Sequence, residues 1–206
     1  LIETLIKKKI KKIALTQKNT IINNVEVARQ LRERIPDLDI SITFSIINNY
    51  AKNTEEIKLK FLKLLEEAKK INVDKILIVS GSPRKLYSST ELLSDLKYID
   101  TSPTKIYCVF NPFLTGPQGE DEYKRLMHKI STKKVFGIYI QLGDDLMKLK
   151  TGLRFLKAKA KGIEINGSIL IPNQAMLNKL KFRPWNGVKF SQKYLNSLDF
   201  ANKKTK

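Results

Sequence analysis

A regular recurrence of short apolar runs constrains this chain more than any other feature. The runs, rich in β-branched residues, are Lys12–Thr16, Asp39–Ile46, Lys75–Ser80, Lys105–Phe110, Val135–Gln141 and Ser168–Pro172. They end at residues 16, 46, 80, 110, 141 and 172, giving steps of 30, 34, 30, 31 and 31. About thirty residues is the length of one strand, one helix and two short loops. The spacing therefore predicts a βα repeat.

The segments between the runs carry helical periodicity. Ile57, Phe61, Leu64, Leu65 and Ala68 form one stripe, with Lys58, Lys60, Lys63, Glu66 and Glu67 mostly turned away. Asn53 followed by Glu56 reads as a capping box at its start. Val25, Ala28, Leu31 and Ile35 make a second stripe, ended by Pro36. Tyr123, Leu126, Met127 and Ile130 make a third, and Leu146, Leu149, Leu153 and Leu156 a fourth that runs through Gly152.

Alternating strands and helices imply an α/β protein with a parallel sheet. Two architectures fit: an open doubly wound sheet, or a (β/α)8 TIM-type barrel. Near-constant spacing without a long crossover favours the barrel. A complete barrel needs about 250 residues, and this chain has 206. It opens on a helix-like segment, 1–11, with no strand before it, and closes on a polar tail, 202–206. It is therefore expected to be one barrel domain, 1–206, lacking its first strand. An opening residue of Leu1 rather than Met suggests a trimmed sequence.

Composition excludes several classes. A hydrophobic fraction of 42% is too high for a disordered chain, and no apolar run approaches the ~20 residues that cross a bilayer. The lysine-rich opening lacks the apolar core and cleavage site of a secretory signal. The single cysteine, Cys108, cannot form an internal disulfide, which fits a reducing, cytoplasmic setting. The net charge of +19 could serve nucleic acid, but only seven of the 39 basic residues are arginine. Paired recognition of bases and phosphates favours arginine's planar fork, and the lysines are spread along the chain. Abundant Ile, Lys and Asn together read as codon bias, and a nucleic-acid role ranks last.

In either architecture the reactive groups gather at the carboxyl ends of the strands. Those ends carry Thr16 and Gln17; Thr43, Ser45 and Asn48; Ser80, Gly81 and Ser82; Tyr107, Asn111 and Pro112; Gln141, Gly143 and Asp144; Pro172 and Asn173. The set is polar but poor in acid–base groups. No dinucleotide fingerprint, P-loop, metal spacing or nucleophile triad is present. Ser80-Gly81-Ser82-Pro83-Arg84-Lys85 reads equally as a phosphate-approaching loop and as an ordinary turn. His128 reads as a surface residue, Cys108 as a small buried side chain, and Asp144 and Asp145 as helix caps.

The order of the strand-end motifs resembles the methylenetetrahydrofolate reductase family of flavin-binding barrels, from about Ile13 to Pro172. Ala14-Leu15-Thr16 resembles the second strand and Ile76–Ser82 the fourth. Tyr107-Cys108-Val109-Phe110-Asn111-Pro112 resembles the fifth, Ile138-Tyr139-Ile140-Gln141 the sixth, and Ile169-Leu170-Ile171-Pro172 the seventh. The resemblance implies an oxidoreductase of one-carbon metabolism that passes hydride from NAD(P)H through FAD to a methylene-folate. Thr16, Thr43, Ser80, Gly81, Ser82, Tyr107 and Asn111 would face the flavin, Glu122 and Lys129 its ribose and phosphates, and Gln141 the folate pterin. Ser80-Gly81-Ser82 stands where the family has Arg-Gly-Asp, Thr43 and Asn111 where it has histidines, and the strand bearing its catalytic glutamate is absent. The alternative expectation is a non-catalytic barrel that keeps an anionic or pterin-like ligand, or acts on a partner, with an unpaired strand edge that a second copy could cover.

Overall fold

The computed structural model describes residues 2–17, 23–49, 51–80, 87–183, 185, 187–188 and 190–204. In chain order the elements are α1 (Ile2–Lys7), β1 (Lys12–Leu15), α2 (Asn24–Arg34), β2 (Asp39–Ser45), a 3-10 turn (Ile47–Asn49), α3 (Thr54–Lys70), β3 (Lys75–Val79) and α4 (Ser89–Asp95). There follow β4 (Lys105–Phe110), α5 (Gly116–Ser131), β5 (Val135–Ile140), α6 (Leu146–Lys159), β6 (Glu164–Asn166), α7 (Gln174–Phe182) and α8 (Gln192–Lys204). The strands join one sheet in the order β1-β2-β3-β4-β5-β6. A doubly wound sheet reverses its strand order at a switch point; here the order never reverses. The fold is an incomplete TIM-type barrel.

The chain divides into two compact units, residues 1–109 with 129–137, and residues 110–128 with 138–206. In the first, β1 to β4 pair in parallel, with Ile13 opposite Ile40, Ile42 opposite Ile76 and Ile76 opposite Ile106. Side chains alternate across a sheet, so Ile40, Ile42 and Phe44 share one face and Ser41, Thr43 and Ser45 the other. The apolar set is at most 2% exposed and lies with Ile57, Phe61, Leu65 and Ala68 of α3 in one core. Phe44 meets Phe61 edge to face at 5.1 Å, an arrangement that places one ring's positive rim against the other's negative face. Helix α3 starts where its sequence places it. The Asn53 side chain accepts the Glu56 N–H at 2.8 Å, while the Glu56 carboxylate reaches back to the Lys52 N–H at 3.2 Å.

On the polar face of the same sheet runs a charged row. Asp39 accepts from Lys75 Nζ at 2.7 Å and lies 3.9 Å from Lys12 Nζ. Lys75 also sits 5.6 Å from the centre of the Tyr107 ring. Tyr107 is fully buried, and its ring covers Gly137 so closely that a Cβ there would lie 2.0 Å from Cε1.

In the second unit, Tyr123 of α5 sits between Phe110 (5.1 Å, 81°) and Phe155 of α6 (4.8 Å, 89°). Helices α7 and α8 enclose Leu177, Leu180 and Leu195, against which Leu170, Met176, Phe190 and Leu198 pack. Two expectations are corrected in this unit. The α6 stripe is rotated: Leu146 and Leu153 are exposed, and the buried positions are Gly152 and Leu156. Gly152 is the reason, because a Cβ there would lie 2.7 Å from Pro112 Cβ, so the helix presents its backbone to β4's end. The sixth strand is Glu164–Asn166 rather than 168–172.

Candidate functional site

In the first unit, amide side chains stitch the carboxyl ends of β1 and β2. Gln17 Oε1 accepts the Ser45 N–H at 3.0 Å and Asn49 Nδ2 at 2.8 Å, while Gln17 Nε2 donates to Asn49 Oδ1 at 3.3 Å. Asn48 Nδ2 donates to the Gln17 carbonyl at 2.8 Å, and Asn24 Nδ2 to the Leu15 carbonyl at 3.2 Å. The chain leaves β2 through the 3-10 turn Ile47–Asn49, which sets Asn48 and Asn49 back over β1's end. The amides carry donors and acceptors without net charge, and Asn49 Nδ2 gives its second hydrogen to the Ser45 carbonyl at 2.8 Å, which fixes the cluster in place. Gln17, Asn24, Thr43 and Asn49 line a cavity of about 560 Å³. Its rim carries Arg29, which pairs with Glu26 at 3.3 Å and Glu67 at 3.9 Å. Lys70's hydrogen bond, with its charge, holds the Glu67 carboxyl below the ordinary glutamate value.

In the second unit the ends of β4 and β5 are tied to the segment before α8. Asn111 Nδ2 donates to the Gly187 carbonyl at 2.7 Å, and the Asn111 Oδ1 accepts the Phe113 N–H at 3.1 Å. Asp144 accepts the Ser191 N–H at 3.1 Å and the Ser191 hydroxyl. The pair expected to cap α6 thus separates: Asp145 is the cap, accepting the Met147 and Lys148 N–H groups at 3.1 and 3.0 Å, and Asp144 holds a different element. The Lys148 backbone N–H is the main reason that the Asp145 carboxyl titrates below the ordinary aspartate value. A group with a lowered folded pKa contributes stability above its unfolded value and loses it as pH falls through the folded one. Carbon-detected titration should accordingly place the Asp145 midpoint below that of a peptide aspartate, and an ordinary midpoint would remove the cap's role.

The residues expected at a cofactor site have other partners. Glu122 is buried, accepting the Asn111 N–H at 3.1 Å and pairing with Arg125 at 2.8 Å. Lys129, also buried, donates to the Val109 carbonyl at 3.1 Å. Both satisfy backbone groups where β4 ends, which a buried polar group requires. Ser80 Oγ accepts the Ser89 N–H at 2.8 Å and donates to Ser89 Oγ at 2.9 Å. Thr16 is exposed and Thr43 half-buried at the cavity wall. Gln141 donates its N–H to the Phe110 carbonyl at 2.8 Å, and its Oε1 accepts the Leu142 N–H at 3.0 Å. Gly81 and Ser82, with Arg84 and Lys85, lie outside the described residues. His128 is exposed and Cys108 buried. Among the described residues no group of three His, Cys, Asp or Glu is placed to hold a metal, and no helix is long and apolar enough to cross a membrane. Asn49 and the Asp144–Ser191 pair are the functional candidates that sequence reasoning missed; the second spans 47 residues, and no local signal marks it.

No protein-family model matches the chain, and no curated protein matches it in sequence. Solved structures do. N-acetylneuraminate lyase from Mycoplasma synoviae matches in two crystal forms, at 16% and 15% identity with TM-scores of 0.56 and 0.57. Each match covers 98% of this chain but only 64% and 63% of the lyase. The 3-keto-D-glucoside 4-epimerase from E. coli matches at 9% identity and a TM-score of 0.50, over 98% of this chain and 82% of that one. The likeness is one of fold.

It overturns the family expectation. The matched barrels are a lyase and an epimerase, not methylenetetrahydrofolate reductase, so flavin-dependent folate reduction and the flavoprotein, FAD and one-carbon assignments are withdrawn. The alternative of a non-catalytic barrel for an anionic or pterin-like ligand finds no support in them either. The error has a physical source. Strand-end polar residues recur in every barrel because sites form there, so their order alone reports the architecture more than the chemistry.

Proposed function

We propose that this chain acts on a small polyhydroxylated carbonyl compound, in lyase- or epimerase-type chemistry, as part of a barrel enzyme of the cytosol. The observation that carries the reading is the neutral amide cluster of Gln17, Asn48 and Asn49 beside the first unit's cavity. Hydroxyl groups both donate and accept, and a site that matches them needs side chains that do the same. About 560 Å³ falls within the range of small-molecule sites, roughly 300–1,000 Å³. The two matched barrels carry names for sugar-directed reactions, which agrees with such a ligand. Because the chain spans under two thirds of the lyase, further parts of that enzyme have no counterpart here. A cytosolic setting agrees with a chain whose single cysteine, Cys108, can form no internal disulfide.

Saturation-transfer NMR with N-acetylneuraminate, N-acetylmannosamine, pyruvate and a 3-keto-glucoside tests the reading. At least one sugar is expected to bind, and Asn49→Ala should weaken it by about tenfold, close to the worth of one good hydrogen bond. Methyl-folate, run alongside, should give no signal. Silence from every sugar would end the proposal, and so would binding that Asn49→Ala leaves untouched.

A further inference from the structure

Ile169 and Ile171 are each 90% exposed, the most exposed of the chain's large apolar side chains among the described residues. Between them Leu170 turns inward onto the Leu177, Leu180 and Leu195 cluster of α7 and α8. That alternation is the pattern of a strand with one face seated and the other bare. The Ser168 hydroxyl donates to the Ile140 carbonyl at 2.7 Å and holds the segment's start in place. Among the described residues, the backbone groups of 169–171 make no backbone hydrogen bond. A segment with this alternation, no backbone partner among the described residues and exposed isoleucines is an edge that invites another strand.

Charge narrows what that strand can be. Residues 138–206 hold fourteen Lys and Arg against Asp144, Asp145, Glu164 and Asp199. Acidic partners would be drawn to those lysines wherever they lie, but from residue 165 to residue 178 there is no charged side chain at all. In a chain of net charge +19, a copy of itself meets repulsion everywhere except at an uncharged patch. The other charge-free run of that length, 106–119, has its strand half almost wholly buried. Antiparallel pairing about a two-fold axis at Leu170 would set Ile169 opposite Ile171 in both directions, the self-complementary arrangement that a symmetric dimer needs.

We propose that Ile169-Leu170-Ile171 is a self-association edge that pairs with the same segment of a second copy. Three residues between Ser168 and Pro172 make a short contact, so the association is weak and depends on concentration. It has an unusual salt signature. Screening length shortens from ~10 Å at 0.1 M to ~3 Å at 1 M salt, so salt relieves the repulsion between two cationic copies. Self-association is expected to tighten as salt rises, whereas lysine-driven binding of lipid or nucleic acid weakens.

Sedimentation velocity on the full chain, across concentrations at low and high salt, tests this. Dimer should grow with concentration and salt, and Ile169→Lys or Ile171→Lys should weaken it at least tenfold with an unchanged circular dichroism spectrum. Both side chains are solvent-facing, so neither change empties the core. Register has its own readout: a mixture of Ile169→Cys and Ile171→Cys chains should cross-link on oxidation more readily than either variant alone. A monomer at all salts, a dimer indifferent to both lysine variants, or equal cross-linking in the unmixed variants would each overturn the proposal. Flotation with phosphatidylserine vesicles covers the rival occupant, since vesicle binding lost in Ile169→Lys without any self-association would assign the edge to lipid instead.

Discussion

Gly137→Ala is expected to lower the stability of this protein by about 3 kcal/mol or more, at the upper end of what overpacking a close-packed core costs. An added Cβ would lie 2.0 Å from Cε1 and 2.4 Å from Cδ1 of Tyr107, far inside contact distance. The ring cannot simply swing aside. It is fully buried, tilted against Phe136 at 6.1 Å, with Lys75 over its face at 5.6 Å. For a chain of this size such a loss corresponds to a fall of roughly 6–12 °C in melting temperature. The cause can be isolated, because Tyr107→Leu in the same chain removes Cε1 and Cζ, two of the three ring atoms that the methyl group strikes, and leaves a smaller side chain that can turn away. Gly137→Ala should therefore cost much less in the Tyr107→Leu background than alone, a coupling read by a double-mutant cycle. Equal costs in both backgrounds would show that the glycine serves its own backbone and not the ring.

That contact also shows what could be read from the residues. Tyr107 at a strand end was legible as a polar, aromatic group near the mouth of a barrel. Its burial was not, because burial depends on Gly137, thirty residues further on. The same division runs through the chain. Strands β1 to β5 lie on or within a few residues of the apolar runs, since β-branched residues on a period of two satisfy one buried face whatever surrounds them. The sixth run failed because Ile169 and Ile171 have every local mark of a strand but pair with no strand among the described residues. Helix α3 was legible to its first residue, as Asn53 accepts the Glu56 N–H, although the Glu56 carboxylate takes the Lys52 N–H rather than that of Asn53 and the box stays half formed. Helix α6 was misread by part of a turn, because hydrophobicity put Leu146 and Leu153 inward while the packing needed Gly152 there. Glu122 and Lys129 were visible as two turns of one helix, but not that they hold backbone groups at and just past the end of β4. At the candidate site Gln17, Ser45 and Asn48 stand out as strand-end polar groups. Asn49 does not, since only the 3-10 turn brings it back to Gln17.

Asp39→Ala should be the other severe substitution, costing about 3 kcal/mol, the low end of the range for breaking a buried ion pair. The low end applies because Asp39 keeps 25% of its side chain in water, whereas Lys75 keeps 11%. Removing the carboxylate takes away the 2.7 Å partner of an ammonium that is almost wholly enclosed. Lys12, on the other side of Asp39 at 3.9 Å, is 73% exposed, and water already solvates it. Its contribution should stay within about 0.5 kcal/mol, the usual worth of an exposed pair. The three residues thus form a graded series in which burial, not charge count, sets the effect. Chemical denaturation of Asp39→Ala, Lys12→Ala and the paired replacement Asp39→Leu with Lys75→Met measures it directly. The paired change should come close to neutral, because an apolar pair of similar size avoids the cost of dehydrating two charges. An Asp39→Ala loss no larger than that of Lys12→Ala would mean that water reaches Lys75 after all. The point bears on the whole chain: with 39 basic residues and 20 acidic ones, most lysines can rely on solvent, whereas a buried one such as Lys75 draws on the carboxylate beside it.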